Sequence, residues 1–206
     1  MSEIVSNIPE FRVKYKDVFH LKNLYIMMHE YLLEEGFLSV GAEGYASPVH
    51  SEIEKLYFEK FCQKGIHSGG KEMWIWWRTV KMPETKYSGY FRYLLDIDFH
   101  VVYARDEEIM HQGKKMKIQW GEIEMFIRPK VEADYRNEWS NHWFLKHFKN
   151  LYNKRILSQE FEKREKELWR DAYRLQGKIK NFLNMRTFIP IPEPFHPPIY
   201  GYEAEF

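Results

Sequence analysis

Folded back on itself about Gln112-Gly113, the middle of the chain sets His111 opposite Lys114, Ile109 opposite Met116 and Arg105 opposite Trp120. This is the pattern of two antiparallel strands joined by a two-residue turn, in which apolar side chains meet apolar ones across the ladder. The apolar parity then changes. Met116 and Ile118 are even-numbered, whereas Ile123, Met125 and Ile127 are odd. One extra residue, a β-bulge at Gly121, restores a single apolar face. With that residue on the Gly121 strand, Phe99 is expected opposite Ile127 and Val101 opposite Met125. Leu95, Ile97, Phe99, Val101, Ile123, Met125 and Ile127 then share one side of a twisted sheet, which helices must cover.

Other segments extend the pattern. Phe11, Val13 and Tyr15 alternate with Arg12, Lys14 and Lys16, as in a half-buried strand. Leu21, Leu24, Tyr25, Met28, Tyr31 and Leu32 then recur at helical spacing, with Asp17 as the expected N-cap and Gly36 as the left-handed stop. Ser51 and Glu54 have capping-box spacing, so a second helix is expected to about Gly65, with Ile53, Leu56, Tyr57 and Phe61 on one face and Cys62 beside it. A strand is expected near 72–82 and another over 90–106. Helices are expected over 137–152, with Trp139, Trp143, Phe144, Phe148 and Leu151 on one side, and over 157–184. The latter begins with a charged run expected to project into solvent. It continues as Leu168, Ala172, Leu175, Ile179 and Phe182, the repeat of a core-packing helix. Five prolines between Pro190 and Pro198 rule out helix there and predict extended chain.

The expected fold class is therefore α+β: a twisted antiparallel sheet of about four strands packed on helices, with a long C-terminal helical region and an extended proline-rich tail. The expected divisions are a sheet domain over 1–135, a helical region over 136–186, packed on the sheet domain or projecting from it, and a tail over 187–206. At 44% hydrophobic and 17% aromatic residues the chain is too rich in core formers to be disordered over most of its length. No run approaches the roughly 18 apolar residues of a membrane-spanning helix. One cysteine and a polar start predict a cytoplasmic protein.

The net charge of +1 conceals an asymmetry. Residues 136–186 hold 13 Lys and Arg against 6 Asp and Glu, which leaves −6 for the remainder. A basic lobe on an acidic body attracts phosphates or the acidic body of a second copy.

Three constellations carry candidate chemistry. Asp96, Asp98 and His100 alternate on one strand and, with Glu124 and Glu122 on the next, supply the ligand types of Mg²⁺ or Mn²⁺ for metal-assisted hydrolysis. Against that reading, the expected register sets Asp98 opposite Arg128 and Asp96 opposite Lys130, which is ordinary charge pairing. Lys163, Lys166, Arg170, Arg174 and Lys178 share a broad helix face, with Lys146, Lys149, Lys154 and Arg155 nearby. They form a candidate nucleic-acid surface, with Trp74, Trp76 and Trp77 as stacking platforms. Glu160, Glu162, Glu165 and Glu167 interrupt the basic face. Phe188, Ile191, Phe195, Ile199, Tyr200 and Tyr202 in the tail offer apolar side chains to a protein partner. Gly65, Gly70 and Lys71 imitate a phosphate-binding loop, but Glu72 stands where Ser or Thr is needed and a strand follows. The function expected from these features is a non-enzymatic interaction or assembly protein, with a protein partner or homo-oligomer. The nucleic-acid module and the metal-dependent hydrolase are the alternatives. The sequence leaves the cofactor open.

Overall fold

The computed structural model of the chain describes residues 3–40, 46–47, 52–65, 68–83, 89–111 and 113–185. Its centre is the long hairpin of β7 (Phe91–His111) and β8 (Lys114–Ala133). On one side β8 pairs with β1 (Glu3–Asn7) and β2 (Phe11–Phe19). On the other, β7 pairs with β6 (Lys71–Lys81), which carries β5 (Glu54–Phe61) along one stretch and β3 (Leu38–Val40) along another; β4 (Ala46–Ser47) pairs with β3. Every pairing is antiparallel. Four strands, β2, β6, β7 and β8, run nine residues or more and correspond to the expected sheet, while the shorter ones widen its edges.

The hairpin keeps the expected register near its turn, with His111 facing Lys114, Ile109 facing Met116 and Arg105 facing Trp120. The ladder slips where it was expected to slip, but on the other strand. Val102 faces Glu122, so Tyr103 and Ala104 of β7 together oppose Gly121. Phe99 consequently faces Met125 and Val101 faces Ile123, each two residues from the expected pairing. Either placement gives the same apolar face, so hydrophobic pattern cannot choose between them. Backbone room decides. Tyr103 takes a φ of +62°, and a Cβ on Gly121 would lie 2.9 Å from the Val102 carbonyl oxygen. Just before β6, a Cβ on Gly70 would lie 2.8 Å from the Tyr103 Cα.

The apolar face is buried as expected. Leu95, Ile97, Phe99, Val101, Ile123, Met125 and Ile127 form one core with residues of α1 (Leu21–Glu34) and α4 (Ser158–Phe182). His20, not Asp17, caps α1: its Nδ1 accepts from the Asn23 N–H at 3.2 Å, while Asp17 stays in β2. Gly36 takes the expected left-handed φ, +82°.

The expected second helix is a strand. Residues 54–61 pair with β6, and hydrogen bonds close the ladder at both ends: Arg78 N–H to the Ile53 carbonyl at 2.8 Å, and Cys62 N–H to the Gly70 carbonyl at 3.0 Å. Tertiary pairing overrides a capping-box spacing of only local reach. Ile53 is buried, but Leu56, Tyr57, Phe58 and Phe61 are not.

The helical region also departs from expectation. The helix expected over 137–152 is broken into α2 (Glu138–Asn141) and α3 (Leu145–Leu151), followed by a π-helical turn over Tyr152–Ile156. In α4, Leu168, Ala172, Leu175 and Ile179 are buried as expected, whereas Phe182 is exposed and Leu183 takes the inner position. The charged first half does not project. Arg164 is buried and donates to Glu167 at 2.7 Å and Glu160 at 3.0 Å, Tyr93 of the sheet donates to Glu167 at 2.8 Å, and Phe161 packs edge-on against Phe91. No helix among the described residues is long and apolar enough to cross a membrane.

Candidate interaction surfaces

The sheet face away from α1 and α4 carries the Asp96, Asp98, His100 and Glu124 set. Alternation places these side chains together, and each has a partner there. Asp98 is held between Arg78, whose Nη1 donates at 2.6 Å, and Arg128. Asp96 accepts from Lys130 at 2.8 Å, and Glu124 accepts from Arg12 at 3.0 Å. The pairing of Asp98 with Arg128 and Asp96 with Lys130 survives the two-residue change in register because it is made diagonally: the residues directly opposite are Phe126 and Arg128. His100 Nε2 lies 2.9 Å from Glu72, and its ring stacks on Trp74 with centroids 3.7 Å apart. That hydrogen bond is the main reason the Glu72 carboxyl lies below its ordinary range. The Lys14 amine at 2.6 Å does the same for Glu122. Among the described residues no group of three or more His, Cys, Asp or Glu side chains is arranged to hold a metal ion.

On α4, Lys163, Lys166, Arg170, Arg174 and Lys178 are exposed. Arg174 pairs with Asp171 and, at 3.4 Å, with Glu35; Lys166 lies 3.6 Å from Glu162; the Lys178 amine sits 5.6 Å from the centre of the Tyr31 ring, within cation–π reach. Lys149 does not belong to this basic surface. It is buried against Asp134, 3.1 Å away. Of the three expected platforms, Trp77 is fully buried in the core, while Trp74 and Trp76 stack on the opposite face at 6.0 Å.

Asp134 fixes the helical region to the end of β8. It accepts from the Trp139 and Ser140 N–H groups at 3.1 and 3.0 Å, from the Ser140 hydroxyl at 2.6 Å and from Lys149. Burial acts to raise its carboxyl, but the bonds from Ser140, Lys149 and Trp139 outweigh it and hold the group below its ordinary value. The segment fixed in this way presents Trp143, Phe144, Phe148, Leu151 and Ile156 to solvent, Trp143 with 77% of its surface exposed. Lys146, Lys154 and Arg155 stand exposed among them.

A second surface lies at β5, where Leu56, Tyr57, Phe58 and Phe61 are 46–59% exposed. Helical spacing concealed it from the sequence reading, although the run Leu56-Tyr57-Phe58 is a strand signal. Between β5 and α1 opens a cavity of about 510 Å³, floored by Met73, Ile75 and Ala104 and edged by Tyr57, Glu59 and Lys71. The tail residues Phe188, Ile191, Phe195, Ile199, Tyr200 and Tyr202 lie outside the described residues.

No protein-family model matches the chain, and neither a curated protein nor a solved structure matches it.

Proposed function

We propose that the protein works by contact, as a non-enzymatic subunit of an assembly, with the helical region after Asp134 as a contact surface for another copy of the chain. The observation that carries this reading is the run of five exposed large apolar side chains over 143–156, on a segment held in place by a buried ion pair. Contiguous apolar surface of this kind, rimmed by polar groups, is the mark of an interaction site. Charge supports a second copy as the occupant, since Lys146, Lys154 and Arg155 belong to a lobe of +7 and the rest of the chain sums to −6. The tail over 187–206 belongs to the same proposal as a second grip.

Native mass spectrometry of the full-length chain beside the triple variant Trp143→Ser, Phe148→Ser, Ile156→Ser and a chain ending at Met185 tests it. The full-length protein is expected above the mass of one subunit, and each variant is expected at a lower mass than the full-length protein. An unchanged mass in both variants would overturn the reading.

A further inference from the structure

We infer that β5 pairs edge to edge with β5 of a second copy, antiparallel about a two-fold axis at Tyr57, joining two sheets into one. The inference rests on the reading of the chain as an assembly subunit and names a different surface for it.

Three observations converge. First, β5 is bonded along one edge only: among the described residues its single strand partner is β6. The Cys62 N–H points to β6, and the register is regular from Leu56 to Phe61. Alternation therefore aims the N–H and C=O of Phe58 and Lys60 at β6, and those of Tyr57, Glu59 and Phe61 at the outer edge. A regular edge with outward amides is a template for another strand.

Second, the strand is self-complementary. About Tyr57, the run Lys55-Leu56-Tyr57-Phe58-Glu59 sets Lys55 against Glu59 and Leu56 against Phe58 of the second copy. An axis perpendicular to the sheet keeps each side chain on its own face, so it passes through a residue and not between two. Moving it to Phe58 sets Leu56 against Lys60 and Tyr57 against Glu59; moving it to Glu59 sets two carboxylates together. Only the Tyr57 axis gives opposite charges at both ends, and it places Tyr57 in a hydrogen-bonded pair, as its outward N–H and C=O require.

Third, the pairing uses the exposed apolar surface. Leu56 and Phe58 lie on the same face as their register partners Trp76 and Trp74. The two copies bring two Leu56 and two Phe58 side chains together beside four indoles, in a seam that is solvated in a single copy. The irregularity at Lys55, between Glu54 and Leu56, falls at each end of this ladder and limits it to a short central run.

A charge exchange tests the register. In native mass spectrometry over a concentration series, the wild type is expected to dimerise, and Glu59→Lys, which sets Lys against Lys55, is expected to weaken the dimer about tenfold or more. Adding Lys55→Glu to it restores opposite charges and is expected to recover the dimer. In a Cys62→Ser background, Tyr57→Cys is expected to oxidise to a disulfide-linked dimer, because the Cα atoms of a hydrogen-bonded antiparallel pair lie about 5.5 Å apart, within disulfide range. A wild-type oligomer that withstands Glu59→Lys but is lost in the helical triple variant would overturn this pairing and keep the assembly reading. A wild type that is monomeric at every concentration would overturn both.

Discussion

β7–β8 and β5 are built from similar ingredients and end in opposite circumstances. In the hairpin, odd-numbered apolar residues from Leu95 to Val101 enter the core, and the charged side chains on the other face find cations: Asp98 between Arg78 and Arg128, Asp96 on Lys130. β5 also alternates, but only Ile53, just before it, is buried, and four large apolar side chains within it stand in solvent on both faces. Among the described residues the hairpin has strand neighbours on both edges, whereas β5 has one. The difference teaches that composition does not set burial; what packs against a strand's faces does, since β2 also has a single strand neighbour among the described residues yet buries Val13 and Phe19 in the core. A strand that keeps Leu, Tyr and Phe exposed beside an open edge is a template for a further strand, which is the basis of the proposed pairing between copies.

The largest expected effect tests the hairpin side of this comparison. Phe99→Ala removes a fully buried ring packed edge-on against Trp77 at 4.8 Å, and should lower the unfolding free energy by about 3–5 kcal/mol in chemical denaturation. A loss under about 1 kcal/mol would place Phe99 outside the cooperative core and dissolve the contrast with β5.

A smaller effect is expected where β8 hands over to the helices at Asp134. Its carboxyl is depressed in the folded chain, so the stability it contributes is fully present above the ordinary carboxylate value of about 4 and is lost as pH falls through the lower folded value. Fluorescence of Trp139 and Trp143 should therefore report loosening of the helical region on acidification below about pH 4, in a step that Asp134→Asn removes while weakening that region at neutral pH. The same acid step in the Asn variant would assign it to another group.

Much of the sheet was legible in the chain itself. The hairpin register near Gln112-Gly113, the apolar face and the position of the bulge all follow from side-chain parity, which is a strict two-residue signal. The strand that carries the extra residue was not legible, because parity is the same for both choices and the deciding contacts, at Gly70 and Tyr103, join residues distant in sequence. β5 was misread for a related reason. Ile53, Leu56, Tyr57 and Phe61 fit helical spacing, and its strand character comes from β6, a partner that local pattern does not reveal. The charged start of α4 looked solvent-bound until Tyr93 and Phe91 were seen to meet it. Of the candidate site residues, the ion pairs of Asp96 and Asp98 were readable from cross-strand charge, whereas the burial of Lys149 depended on Asp134, fifteen residues away.

The most direct test of the central claim is amide hydrogen exchange along β5 at single-residue resolution, measured at low and high protein concentration. Phe58 and Lys60, bonded to β6, are expected to be protected at both concentrations, and Tyr57 and Glu59 to become protected only as concentration rises. Tyr57 and Glu59 amides that exchange rapidly at every concentration, in a sample that is nonetheless oligomeric, would contradict it.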